Sequence, residues 1–333
     1  MFTGLYTRSH GAHHNDEGLG ARLQDRFVTI AERLSDAGYL NIGVVANHIL
    51  FGSGYGLEQG FDTFDVKPSW PFVIIDRMRS AEAFLLREPI FRHLAKRLPD
   101  HLFKRHYRRE EQINSVAFAL VDRALPRGDS LFLLLNYMDA HWPYVPPPSF
   151  DTRWPGKDLR FDTTRHFTVL RQVVRKRVRD VLDWERAHLH SQYDGAIAYM
   201  DGQVGQVVDR LKRLGIYDEC LLIVTSDHGE AFGERQLVQD AISVCQDQVH
   251  VPLLIKFPGS AEGKIVDRPV SLIDLMPTIM DVLDLPTPDG VQGRSLLAPP
   301  APDAEPMIRE SYPHIFLGSH FRRVERAIYD QNM

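Results

Sequence analysis

Apolar positions along this chain follow two rhythms that alternate. Short continuous runs occur at Ile42–Asn47, Leu131–Tyr137, Leu221–Thr225 and Val251–Ile255, the pattern of strands buried on both faces. Between them the spacing becomes helical. Phe27, Ile30, Ala31 and Leu34 mark one face of a helix over Gln24–Ala37, with Gly38 placed for a left-handed C-terminal cap. Ile113, Val116, Ala117, Leu120 and Ala124 do the same over Glu110–Leu125. A longer helix carries Ile197, Met200, Val204, Val207, Val208, Leu211 and Leu214 on one face and ends at Gly215. Asp274 is placed as the N-cap of a helix running to Leu283, with Pro277 tolerated in its first turn. Four strands separated by helices predict an α/β fold, a mainly parallel sheet sandwiched by helices with right-handed crossovers.

Three stretches depart from that alternation. Residues 66–110 mix Arg and Lys with Phe84, Leu85, Leu86, Ile90, Phe91 and Leu94 and break at Pro89 and Pro99. They predict a helical insertion whose charges form a solvated face, a membrane-surface role being the less favoured reading. Met138–Pro148 is too rich in proline for helix or strand interior and predicts a rigid extended loop. Phe150–His190 is polar and basic, and helical in its second half. The predicted organisation is one α/β domain over 1–297, then a linker and the start of a further subdomain over 298–333.

Composition narrows the picture modestly. The 333 residues carry a net charge of −5, which gives no electrostatic case for a nucleic-acid partner. No run approaches the ~20 apolar residues of a spanning helix. No signal-peptide pattern opens the chain, so a cytoplasmic location is the default expectation. The two cysteines, Cys220 and Cys245, have no zinc-type spacing and exclude a disulfide framework.

Chemistry gathers where strands end. Thr225-Ser-Asp-His-Gly-Glu230 follows a buried strand, and ligands of open α/β sheets bind at the carboxyl ends of strands. Asp227 offers a hard oxygen and His228 a neutral nitrogen, a pairing suited to a divalent cation. The plainer alternative makes Asp227 a helix cap and His228 a surface residue. Asn47 ends another strand, and Asp139 and His141 follow a third.

With these segments in hand, the chain resembles the sulfatase family of the alkaline phosphatase superfamily. The resemblance rests on segments in family order: Thr3-Gly-Leu-Tyr with His10-Gly11; Thr29-Ile-Ala-Glu-Arg-Leu with Ala37-Gly-Tyr39 and Gly60-Phe-Asp62; Asn136-Tyr-Met-Asp-Ala-His-Trp-Pro-Tyr144; Tyr193 to Gly205; Thr225–Glu230; Val251-Pro252; and Gln292-Gly-Arg-Ser-Leu296. It implies a hydrolase of anionic esters with one divalent cation, commonly Ca2+, with Mn2+ or Zn2+ as alternatives. Asp227 and His228 would be metal ligands. His141 would contact the sulfate group or protonate the leaving oxygen, and Asn47 would contact the substrate, with His10 and Asp139 nearby. The implied partner is a small-molecule or glycan sulfate ester.

The sequence also departs from the family. The strand ending in an Asp pair and the Cys/Ser-X-Pro-X-Arg nucleophile motif do not occur, and neither Cys220 nor Cys245 stands in such a motif. A family His-Gly expected before Val251-Pro252 falls at Asp240-Ala241. The expectation is a sulfatase-like core lacking its first strand and C-terminal subdomain, inactive as it stands. Phosphodiester or phosphonate hydrolysis, or a non-catalytic relative, are the competing readings.

Overall fold

The computed structural model describes residues 1–13, 22–48, 51–52, 54–68, 107–161, 163–240, 243–299, 307–311 and 325–329. Most of the predicted 66–110 insertion lies outside these residues, as does Ala241.

Helix α1 (Ile30–Asp36) starts six residues later than the periodicity predicts. A capping box decides this, with Thr29 Oγ1 accepting from Glu32 N–H and the Glu32 carboxylate accepting from Thr29 N–H. Gly38 closes the helix at φ +83°, the left-handed conformation that glycine adopts without a Cβ clash. Strand β1 (Leu40–Val45) follows, then β2 (Thr63–Val66). Helix α2 (Glu110–Ala124) leads to β3 (Leu131–Asn136). These strands form a parallel sheet in the order β2-β1-β3, with Val45 opposite both Val66 and Asn136.

Helices cover both faces of that sheet, as predicted for an α/β fold. On one face Ile42, Val44, Ala46, Leu133 and Leu135 pack against Ile113 and Ala117 of α2. On the other, Phe132 packs with Ile30 and Leu34 of α1 and with Met276, Ile279 and Met280 of α5 (Leu275–Val282). Burying one such aliphatic side chain contributes about 1.5–3 kcal/mol. The helix α5 is headed by Ser271 in a preceding turn. Asp274 stands at the N-cap position of α5 as predicted, but its carboxylate accepts from Ser271 N–H and Arg294 N–H instead of from the first turn of α5.

Helix α3 (Thr163–Val169) runs into a π-helical turn, Leu170–Arg175. Helix α4 (Asp183–Arg213) turns inward a face that only partly overlaps the predicted one, Val207 belonging to both. Gln192, Ala196, Tyr199, Gln203 and Val207 are buried, while Ile197 is exposed. The polar members are tolerated because they are bonded. Asn114 donates to the Gln203 side-chain oxygen Oε1 at 3.3 Å, and Gln192 donates to the Asp151 carbonyl at 2.8 Å.

The remaining described strands pair antiparallel, beside the parallel sheet. Strand β4 (Leu222–Thr225) pairs antiparallel with β7 (Leu253–Lys256) and, among the described residues, with no strand of the parallel sheet. A short apolar run shows that a strand is buried but not its direction or its neighbour, which accounts for the difference. Leu221 and Ile223 nonetheless share the core of Phe132, α1 and α5. A small hairpin of β5 (Glu230–Phe232) and β6 (Val238–Asp240) follows His228. In the segment predicted as linker and subdomain, β8 (Met307–Ser311) pairs antiparallel with β9 (Glu325–Tyr329). No helix among the described residues is long and apolar enough to cross a membrane.

Candidate active site

Two loops build the site from opposite sides. The first leaves β3 at Asn136, whose Oδ1 accepts the backbone N–H of buried Asn47 at 3.0 Å and ties the end of β1 to the end of β3. Three residues on, Asp139 N–H donates to Oε1 of fully buried Glu110 at 2.9 Å. The Asp139 carboxylate stands 3.4 Å from Arg109. Burial pushes the Asp139 carboxyl up to about 7, against the opposing pull of Arg109. The Arg109 guanidinium also lies 5.3 Å over the Tyr199 ring. This loop is therefore pinned by side chains from the N-terminus of α2.

His141 is carried beyond that anchor. Its Nδ1 lies 2.6 Å from the Trp142 carbonyl. A carbonyl only accepts, so Nδ1 carries the proton and the lone pair is on Nε2.

The second loop, from β4, is pinned by backbone. Gly229 N–H donates to the Gln248 carbonyl at 2.7 Å. A Cβ on Gly229 would sit 2.1 Å from the Asp247 carbonyl oxygen, so only glycine permits this approach. His228 Nδ1 is 3.0 Å from the Gly229 carbonyl, which sets the same tautomer as in His141. Its Nε2 is 3.9 Å from Asp227 Oδ1. The Asp227 side chain is 67% exposed, in contrast to Asp139 at 10%.

The two loops meet. The His141 and His228 rings are 6.0 Å apart, so both predicted histidines and the adjoining Asp227 belong to one location. Asn47 stands at the same end of the parallel sheet, beside the origin of the His141 loop. His10 packs against Phe27 at 6.4 Å, and burial lowers its pKa to about 4. Two residues escaped the sequence reading. Tyr107 packs against His141 at 5.7 Å and His48 against Tyr107 at 5.8 Å. His48 directly follows Asn47 and could have been noticed; Tyr107 carries no motif. Asp240, where the family histidine was expected, lies in β6 opposite Glu230.

A carboxylate oxygen and an imidazole nitrogen at 3.9 Å, with the histidine tautomer held by a carbonyl, fit two adjacent ligands of one cation. Among the described residues no group of three or more His, Cys, Asp or Glu side chains converges for a metal. The fit is therefore to part of a coordination shell.

The sulfatase family model matches residues 1–285. The chain belongs to the sulfatase family. An uncharacterized sulfatase of Escherichia coli (strain K12), YidJ, is 23% identical over 314 residues, covering 90% of this chain and 60% of that protein. The chain thus spans less than two thirds of the length of that relative. Among solved structures, the phosphonate monoester hydrolase of Agrobacterium radiobacter aligns over 99% of this chain and 78% of its own, with TM-score 0.66 at 20% identity. BT4656 in complex with its substrate D-glucosamine-2-N,6-O-disulfate aligns over 99% of this chain and 76% of its own, with TM-score 0.65 at 14% identity. These structural likenesses establish the sulfatase-like α/β fold, which the sequence motifs had implied.

Proposed function

We propose that this sulfatase-family chain provides the leaving-group side and part of the cation site of a sulfate ester hydrolase. The observation that carries the reading is the 6.0 Å approach of His141 and His228, with both tautomers set by carbonyls and Asp227 alongside. Asp227 and His228 would hold a divalent cation, Ca2+ by the family's habit, which would neutralise charge on the ester group. His141, on the adjoining loop, would first take a proton at the Nε2 lone pair and then give it to the leaving oxygen. Asn47 would place its amide on the substrate. A glycan sulfate is the favoured substrate class, because the fold is shared with a protein that binds a disulfated glucosamine.

The nucleophile is a separate requirement. No Cys/Ser-X-Pro-X-Arg run occurs in the 333 residues, so turnover is expected only from a polypeptide that also supplies one. The test assays residues 1–333, with and without an added N-terminal segment carrying that motif and an Asp pair, on a chromogenic aryl sulfate and a phosphonate monoester. Sulfate turnover by the extended form, abolished by His141→Ala, supports the reading. Ordinary turnover by residues 1–333 alone, or preference for the phosphonate, overturns it. Thermal shifts with Ca2+, Mn2+ and Zn2+ identify the metal, and Asp227→Asn should remove the shift.

A further inference from the structure

The segment from the histidine loop into the first turns of α4 has a charge balance opposite to the whole chain. Residues 152–190 contain ten Arg or Lys against five Asp or Glu, in a protein of net charge −5. Much of that charge is already committed. Arg165 and Arg179 both pair with fully buried Glu185, and Arg160 pairs with Asp158. Three cations at one turn are not. Arg171, Lys176 and Arg177 are exposed, and no carboxylate of the described residues pairs with them.

The turn that carries them is built rather than slack. It is the π-helical end of α3, with Lys176 N–H donating to the Arg171 carbonyl and Val178 N–H to the Gln172 carbonyl. Arg177 is held at φ +51°, a conformation that costs a non-glycine residue energy and recurs at functional sites. Arg179 locks the base by donating to Gln172 at 2.7 Å and to Glu185. The same segment packs directly on the active-site loops. Val169, Val173, Val174 and Val181 share a core with Tyr144 and with Phe232 of β5, and His166 stacks on Trp142 at 4.4 Å. From His166 to Lys176 the helix runs about 15 Å, so a ligand touching both the histidine loop and the turn must be an oligomer.

We infer that Arg171, Lys176 and Arg177 form a docking ridge for the anionic groups of a sulfated polysaccharide whose reacting sulfate lies at His141 and His228. The inference rests on the sulfate ester reading of the site and extends it from one ester to a chain of charged units. Repeated sulfates match unpaired cations by charge, and binding energy gathered there orients the reacting unit. A single-stranded nucleic acid fits less well, because the turn adds no exposed aromatic for base stacking. A lipid surface also fits less well, because Val178, 68% exposed, is the lone large apolar residue exposed at the turn.

The test measures binding of residues 1–333 to heparin, desulfated heparin, oligothymidine and phosphatidylserine vesicles, with no turnover required. Heparin is expected to bind best and to weaken with salt. The variant Arg171→Gln/Lys176→Gln/Arg177→Gln should bind heparin roughly tenfold or more weakly with a flatter salt dependence, at an unchanged melting temperature. Arg171→Lys/Arg177→Lys should retain binding, which separates lost charge from lost folding. Equal heparin affinity in the glutamine variant, or tighter binding of oligothymidine or vesicles than of heparin, overturns the ridge. The glutamine variant of the ridge should keep the divalent-cation thermal shift while losing heparin affinity, so a failed ridge and a failed ester site give different results.

Discussion

The two loops that meet at the site are held in opposite ways. The His141 loop is fixed by buried side chains, with Glu110 receiving Asp139 N–H and Arg109 beside the Asp139 carboxylate. The His228 loop is fixed by main chain, through Gly229 against Asp247 and Gln248. The consequence is a division of labour between two carboxylates. Asp139 is enclosed beside Arg109, while Asp227 is exposed, the carboxylate we propose as a cation ligand. An Asp two residues before a catalytic-looking histidine is thus not equivalent to one immediately before it.

Removing the buried anchor should have the largest effect. Glu110→Ala leaves the Asp139 N–H without its acceptor and opens a cavity at a fully buried position. The expected loss is about 3 kcal/mol by urea denaturation. Glu110→Gln keeps an acceptor and should recover much of it. An unperturbed Glu110→Ala variant would contradict a side-chain-held loop.

The Asp139 carboxyl itself predicts a pH signature. Its folded pKa, about 7, lies above the ordinary 3.8, so the folded state binds the proton more tightly than the unfolded chain. Stability from this group is complete below about pH 4 and is lost as pH rises through 7. Asp139→Asn removes that loss. Relative to the parent, the variant should gain on the order of 2–3 kcal/mol between pH 5 and pH 8. A parent-to-variant difference that is flat with pH would show that Arg109 keeps Asp139 ionised.

On the other loop, Gly229→Ala should cost about 1–3 kcal/mol through the clash with the Asp247 carbonyl. It should also weaken the divalent-cation thermal shift, because the clash displaces His228. Asp227→Ala sharpens the comparison from the small end. Its side chain is mostly exposed, so stability without metal should change by less than about 0.5 kcal/mol. Any metal-dependent stabilisation should vanish. A large loss in metal-free stability would mean that Asp227 is structural after all.

Much of the architecture was legible from local pattern. The runs at 42–47 and 131–137 became β1 and β3, paired in parallel as expected, because continuous apolar runs bury on both faces wherever they pair. Gly38 announced its left-handed cap, and Glu110 began its helix at the predicted residue. The order of the family motifs identified the sulfatase fold, and strand-ending polar residues marked His141 and His228 before their proximity was known. Tertiary contacts decided the rest. Partner and direction for β4 depend on which backbone edge lies beside it, and side-chain pattern does not encode that choice. Helix α4 buried Gln192 and Gln203 in place of Ile197 because a distant carbonyl and the Asn114 amide bond their side chains. The separate fates of Asp139 and Asp227 were set by burial beside α2, since a carboxyl group's charge state follows its surroundings rather than its position in a motif.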